Sequence, residues 1–141
     1  DPSAQSRDTE AETDRRAFIG RGRTIADAAA FDPRRAFRQD SYERIFISYA
    51  ASMIPQWRAV MAHAVRRLAP GGELHVADFG DMAELPGWTR TAMYRWLGWY
   101  HVTPRPDLFE VASSLASSLG GTAREQRLHR GYSWISVVRA P

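Results

Sequence analysis

Residues 44–80 read RIFISYAASMIPQWRAVMAHAVRRLAPGGELHVADFG, and their pattern decides the fold. Two short apolar runs, Ile45–Ile47 and Leu74–Ala77, flank a helix-patterned segment from Pro55 to Leu68. Pro55 suits a first helical turn, where its missing N–H leaves nothing unpaired. Trp57, Met61, Ala64/Val65 and Leu68 then recur at helical spacing and define one buried stripe. Ala69-Pro70-Gly71-Gly72 stops the helix, because proline cannot continue it and glycine reaches positive φ. Strand, helix, stop and strand make a βαβ unit with parallel strands. The strands end in polar residues, Ser48-Tyr49 and Asp78. Open parallel sheets bind ligands just beyond those ends.

Outward from this unit, 141 residues predict one domain, 1–141, with 81–106 as a Trp-rich lid or interfacial insertion. Five Trp, five Tyr and six Phe supply a core. The absence of Cys excludes disulfides, thiolate metal sites and a cysteine nucleophile; a reducing, cytoplasmic compartment is the simplest expectation. No apolar run approaches the roughly 20 residues of a membrane span, and Asp1 to Arg16 has no apolar centre like that of a signal peptide. No His, Asp or Glu group has metal-ligand spacing, so no metal is expected.

The net charge is +3, and all nineteen basic residues are Arg. Such a surface suits an anionic partner such as phospholipid headgroups, although a simply solubilising role fits most of these residues. The Arg residues are scattered and accompany no nucleic-acid-binding motif, which argues against that partner.

Upstream, Arg23–Ala26 is a short strand candidate, and Asp32–Phe37 forms a one-turn helix leading into the βαβ unit. Downstream, Trp88 to Tyr100 has helical character, with Trp88, Thr91/Ala92, Arg95/Trp96 and Trp99 along one side. Thr103-Pro-Arg-Pro106 breaks it. Asp107 to Leu119 is an amphipathic helix with Leu108, Val111, Leu115 and Leu119 on its apolar stripe. Thr122–His129 and Tyr132–Arg139 then read as a β-hairpin whose last strand is buried on both faces.

Strand-Ser48-Tyr49, helix, Leu68-Ala-Pro-Gly-Gly72, strand-Asp78 and a terminal hairpin together resemble the later part of class I S-adenosylmethionine-dependent methyltransferases. The stretches RIFISYAASMIPQW, GGELHVADFG and WLGWYHVTPR more narrowly resemble the lipid N-methyltransferases that make betaine lipids from diacylglyceryl-homoserine, or act on phosphatidylethanolamine. The resemblance covers roughly Ala26 to the end. It implies an α/β, Rossmann-like sheet, largely parallel with a C-terminal antiparallel hairpin. It also implies S-adenosylmethionine as cofactor, a lipid or small-molecule amine as acceptor, and peripheral contact with the inner membrane face.

The resemblance also assigns residues. Asp27-Ala28 match the adenine contact, and Asp1 matches the acidic residue that holds the ribose hydroxyls. Plain turn roles are the alternative. Ser48 and Tyr49 lie where cofactor and acceptor meet; Tyr49 either bonds the amine, presents a ring face to a cation, or packs under the loop. Asp78 orients an amine or caps its turn, while His75 is expected to pack in the sheet. Trp96, His101 and Arg105 are candidates for headgroup contact, and His101 also for proton removal. The Trp-rich helix either meets a membrane interface or buries its rings in a protein groove.

One departure stands out. The family's first strand ends in an acidic residue and a glycine-rich turn, and no such element occurs here, where Gly20-Arg-Gly22 follows no strand. The N-terminal strand is therefore expected to be missing, leaving the Ile45–Ser48 strand as an apolar edge open to a partner chain or to self-association. Weak binding of S-adenosylmethionine by this chain alone is the corresponding expectation.

Overall fold

The structure, a computed structural model, describes residues 27–141 in two compact units divided between Asp40 and Ser41. Asp1 and the strand candidate at Arg23–Ala26 lie outside the described residues.

In the first unit, Asp27 closes a turn: its carboxylate accepts from Ala29 N–H at 2.9 Å, and its carbonyl accepts from Ala30 N–H at 3.1 Å. Helix α1 follows at Pro33–Phe37, with proline at its start and the Asp32 side chain accepting from Arg34 N–H at 3.0 Å. This is the expected one-turn helix with an ordinary N-cap. The Arg34 guanidinium pairs with the Asp40 carboxylate, which raises its already high pKa.

The second unit contains β1 (Tyr42–Ser48), α2 (Trp57–Val65), β2 (Leu68–Phe79), α3 (Gly87–Trp99), α4 (Leu108–Leu119), β3 (Thr122–Leu128) and β4 (Ser133–Arg139). The strand order is β1-β2-β4-β3, with β1 and β2 parallel and the other two pairs antiparallel. The βαβ unit and the terminal hairpin are thus both present, and they meet where β4 inserts beside β2.

Alternation of side chains along each strand gives the sheet two different faces. Leu74, Val76, Trp134 and Val138 turn to one side and pack with Trp57, Met61, Ala64 and Val65 of α2 and Leu108, Phe109, Ala112 and Ala116 of α4. Met61, Leu74, Val76, Leu108 and Val138 are fully buried. Each such large aliphatic contributes about 1.5–3 kcal/mol relative to exposure. Phe109 stacks on Trp134 with centroids 4.5 Å apart and planes 17° apart. The opposite face carries His75, Ile135 and Val137, half-buried, and Phe46, exposed. The last strand is therefore fully buried on one face and partly on the other.

Two boundaries differ from the sequence reading. Helix α2 starts at Trp57, two residues after Pro55, because Met53, Ile54 and Trp57 N–H first close turns onto Ala50 and Ile54 carbonyls. Strand β2 begins at Leu68 and includes the Pro-Gly-Gly stop. The pairing jumps from Tyr42↔Leu68 to Arg44↔Glu73, so Ala69–Gly72 bulge out of the ladder. Gly71 sits at φ 71°, and a Cβ on Gly72 would lie 2.8 Å from the Ala69 carbonyl and 2.9 Å from that of Tyr42. Both glycines are thus required by the bulge.

The buried stripe of α4 is rotated by about one residue from that expected. Leu108, Phe109, Ala112 and Ala116 are buried, while Val111, Leu115 and Leu119 are only partly covered.

Candidate active site

The carboxyl ends of β1 and β2 converge on a short loop, residues 49–54, which is held from three directions. Asp78, fully buried at the end of β2, accepts from Ser52 N–H at 2.9 Å and from its own neighbour Phe79 N–H at 2.8 Å. Thr103 N–H donates to the Ser52 carbonyl at 2.9 Å. The Arg105 guanidinium donates to the Ala51 and Ile54 carbonyls, each at 3.1 Å, and lies 5.8 Å from the Trp57 ring.

This geometry gives two of the candidate residues structural partners. Asp78 caps the turn and ties it to the neighbouring loop; its carboxylate is 0% exposed and presents no face to an acceptor amine. A buried carboxylate satisfies its charge with N–H donors, and backbone amides supply them here. Arg105, a candidate for headgroup contact, gives two donors of its planar fork to two loop carbonyls and lies near an aromatic face, as its geometry favours. Both position the loop.

Tyr49 is the residue that the loop presents. Its N–H extends the ladder to the Ala77 carbonyl at 2.7 Å, and its φ of 49° turns the chain sharply out of β1. The phenol oxygen lies 3.1 Å from Ser133 Oγ at the start of β4. The ring meets Phe79 edge-on at 5.0 Å, and Phe79 meets Tyr132 in the same way at 5.5 Å. Three aromatic rings therefore line the strand ends, and Tyr49 remains 40% exposed. Ring faces in this arrangement attract a cation without a formal negative charge. Ser48, also exposed, pairs with Ala77.

Phe79, Tyr132 and Ser133 escaped sequence reasoning. The Tyr49–Ser133 contact spans 84 residues, and no local pattern encodes it. The available signal was Gly80, where a Cβ would collide with the Gly131 carbonyl and the Trp134 ring, marking close approach of the hairpin to the end of β2.

Trp96 belongs to α3, and His101 follows its C-terminal end. His101 is exposed in a left-handed turn after α3, with φ 55° and its N–H donating to the Gly98 carbonyl at 3.1 Å. Trp96 is 47% exposed and packs edge-on against Tyr100 at 5.2 Å. No hydrogen bond among the described residues joins either of them to Tyr49. Asp27 and Ala28 belong to the first unit, where Asp27 has the turn role described above.

His75 packs in the sheet as expected. It stacks on Phe46 at 4.9 Å and lies 3.0 Å from the Glu73 carboxylate, which Arg124 also approaches at 3.4 Å. The hydrogen bond from His75, with support from nearby charges including Arg124, holds the Glu73 carboxyl below its usual range. Among the described residues, no group of His, Cys, Asp and Glu could hold a metal ion.

No protein-family model matches the chain. A 33-residue stretch is 64% identical to cyclic beta-(1,2)-glucan synthase NdvB of Rhizobium meliloti (strain 1021), but it covers 23% of this chain and 1% of that protein. Solved structures match far more of it. An O-methyltransferase family protein from Burkholderia thailandensis superposes with TM-score 0.58 at 16% identity, over 83% of this chain and 35% of that one. The N-methyltransferase NodS from Bradyrhizobium japonicum WM9, in complex with S-adenosyl-l-homocysteine, gives 0.53 at 16% over 84% and 53%. Magnesium protoporphyrin IX methyltransferase from Synechocystis PCC 6803 gives 0.52 at 11% over 84% and 50%. The chain spans between about a third and a half of these structures. At such identities the likeness is one of fold: the mixed sheet of this chain is similar to the sheet of these methyltransferase structures.

Proposed function

We propose that these residues form the later part of an S-adenosylmethionine-dependent methyltransferase. Its acceptor is the amino group of a lipid headgroup of betaine-lipid or phosphatidylethanolamine type, reached from the cytoplasmic membrane face. The observation that carries the amine acceptor is the ring cluster of Tyr49, Phe79 and Tyr132 at the strand ends. An amine that becomes a quaternary ammonium, approached by a sulfonium, is well served by ring faces.

When bound, the cofactor supplies an activated methyl group. The ring faces suit its sulfonium end, whereas the sequence offers no glycine-rich turn after a strand for its methionine portion. This chain would therefore supply part of the pocket. Its own residues align the acceptor and exclude water: Asp78, Thr103 and Arg105 fix the loop, and the loop fixes Tyr49. The Tyr49 hydroxyl is shared with Ser133 Oγ at 3.1 Å, a contact that steadies the ring.

The lipid part of the proposal draws support from the exposed aromatic residues of α3. Incubating the whole enzyme with methyl-labelled cofactor tests it, using phosphatidylethanolamine or diacylglyceryl-homoserine in vesicles beside the free headgroup amines. Label in the lipid extract is expected. Label confined to soluble amines identifies a small-molecule methyltransferase with an ordinary lid, and no label in any amine overturns the reading.

A second reading, a non-catalytic chain completed by a partner strand, draws on β1, the outer strand of the sheet among the described residues, with Phe46 67% exposed. It requires a stable complex or self-association in light scattering and no methyl transfer.

A further inference from the structure

We infer that the outward face of α3 is a docking surface for an anionic phospholipid bilayer. This deepens the lipid reading, but it rests on its own observations. At about 100° per residue, Trp88, Ala92, Arg95 and Trp99 share one narrow arc of the helix, with Trp96 beside it. That arc faces away from the protein: Trp88 is 79% exposed, Trp99 76% and Trp96 47%. Leu97, on the other side, is 1% exposed, and Tyr94 anchors the same side by donating to the Asp81 carbonyl at 3.3 Å. An ordinary surface helix is arranged the other way, with apolar side chains inward.

Charge selects the partner. No acidic residue occurs between Gly87 and Trp99, and the exposed Arg95 lies within the Trp arc, whereas Arg90, also exposed, lies on the other side of the helix. Amphipathic rings around a guanidinium group suit the headgroup layer, where rings reach the acyl boundary and Arg meets phosphate. The exposed aromatic series continues to Tyr100, 60% exposed, over about 20 Å of helix length. Exposed rings around Arg95 on a helix without acidic residues suit an anionic headgroup layer.

The docked helix would also place the candidate site. The segment leaving α3 is stitched to the loop after β1 through Thr103 and Arg105. A bilayer seated on α3 is thereby linked to the loop that carries Tyr49.

Co-sedimentation of the whole enzyme with phosphatidylcholine vesicles, with and without phosphatidylglycerol, tests the inference without cofactor or acceptor. Binding to the anionic vesicles, weakened by salt and accompanied by a blue shift of Trp emission, is expected. The double variant W88A/W99A should bind about tenfold more weakly or worse, since two interfacial anchors are lost. The single variant R95E should lose the preference for anionic vesicles. Both changes are at exposed positions, and an unchanged far-UV spectrum shows that the fold is kept. Equal binding by wild type and W88A/W99A overturns the inference, as does no binding to anionic vesicles. A wild-type dimer that W88A/W99A converts to monomer, with no vesicle binding, assigns the face to a protein contact instead. Vesicle binding without lipid methylation leaves docking intact and removes only the proposed acceptor.

Discussion

The Asp78 carboxylate and the Ser52 amide meet at 2.9 Å inside the protein, joining the end of β2 to the loop that leaves β1. Sheet hydrogen bonds hold the two strands side by side but stop at their ends. Beyond them, this bond and that to Phe79 N–H define where the loop goes. Asp78→Ala leaves the Ser52 donor buried and unpaired, at a cost of about 2–3 kcal/mol. Asp78→Asn keeps one acceptor and should fall between the two. Urea unfolding measures both, and midpoints equal to wild type would remove Asp78 from this role.

Arg105 reaches the same loop from the other side, and its two carbonyl partners require a planar fork. Lysine carries the charge but not the fork. Arg105→Lys should cost about 1 kcal/mol and Arg105→Ala about 2 kcal/mol, in keeping with hydrogen bonds from a charged donor. The local signature is faster amide exchange at Thr103, whose N–H is bonded to the Ser52 carbonyl. Unchanged exchange in both variants would mean that Arg105 does not hold the loop.

Glu73, His75 and Arg124 set an acid limit on stability. The Glu73 carboxyl is held below its ordinary value chiefly by the hydrogen bond from His75, so folding favours its ionised form. Its contribution is complete above the unfolded value of about 4.3 and is lost as pH falls from there through the lower folded value. Unfolding free energy of the wild type should therefore drop more steeply below about pH 4.3 than that of Glu73→Gln. Parallel curves for the two proteins would exclude the contribution.

Elements in this fold were legible wherever a local rule governs them. Pro33 after Asp32 gave a helix start, Gly120 a helix stop, and the alternation from Ser133 to Arg139 a strand. The parallel pairing followed from the strand–helix–strand order. Local rules failed where partners distant in sequence compete. The Pro-Gly-Gly stop is absorbed into β2 because Tyr42 and the terminal residues pair around it, with Gly71 N–H donating to the Pro141 carbonyl at 2.8 Å. For Asp78 the sequence left a turn cap and an amine contact equally open, and it made Arg105 a headgroup candidate. Only the loop between them, folded back onto both, gives each the partners seen in the fold. The Trp residues of α3 were legible as a stripe, but their outward direction depends on Leu97 and Tyr94 finding the body of the protein.

Tyr49 combines a strained backbone with a candidate functional side chain. Its φ of 49° is unusual for a bulky residue and costs of order 1 kcal/mol, which glycine would avoid. The retained ring points to the contacts with Phe79 and Ser133 as the compensation. If ring faces serve the cationic partners, Tyr49→Phe should keep methyl transfer by the whole enzyme within about tenfold, because the cation–π contact survives. Tyr49→Ala and Tyr49→Gly should both lose more than that, even though glycine relieves the backbone. Ser133→Ala should match Tyr49→Phe, since each removes the same hydrogen bond. Steady-state kinetics with the lipid amine separate the roles. If Tyr49→Phe falls as far as Tyr49→Ala, the hydroxyl rather than the ring faces the acceptor. If Tyr49→Gly is as active as wild type, the side chain has no part in the reaction.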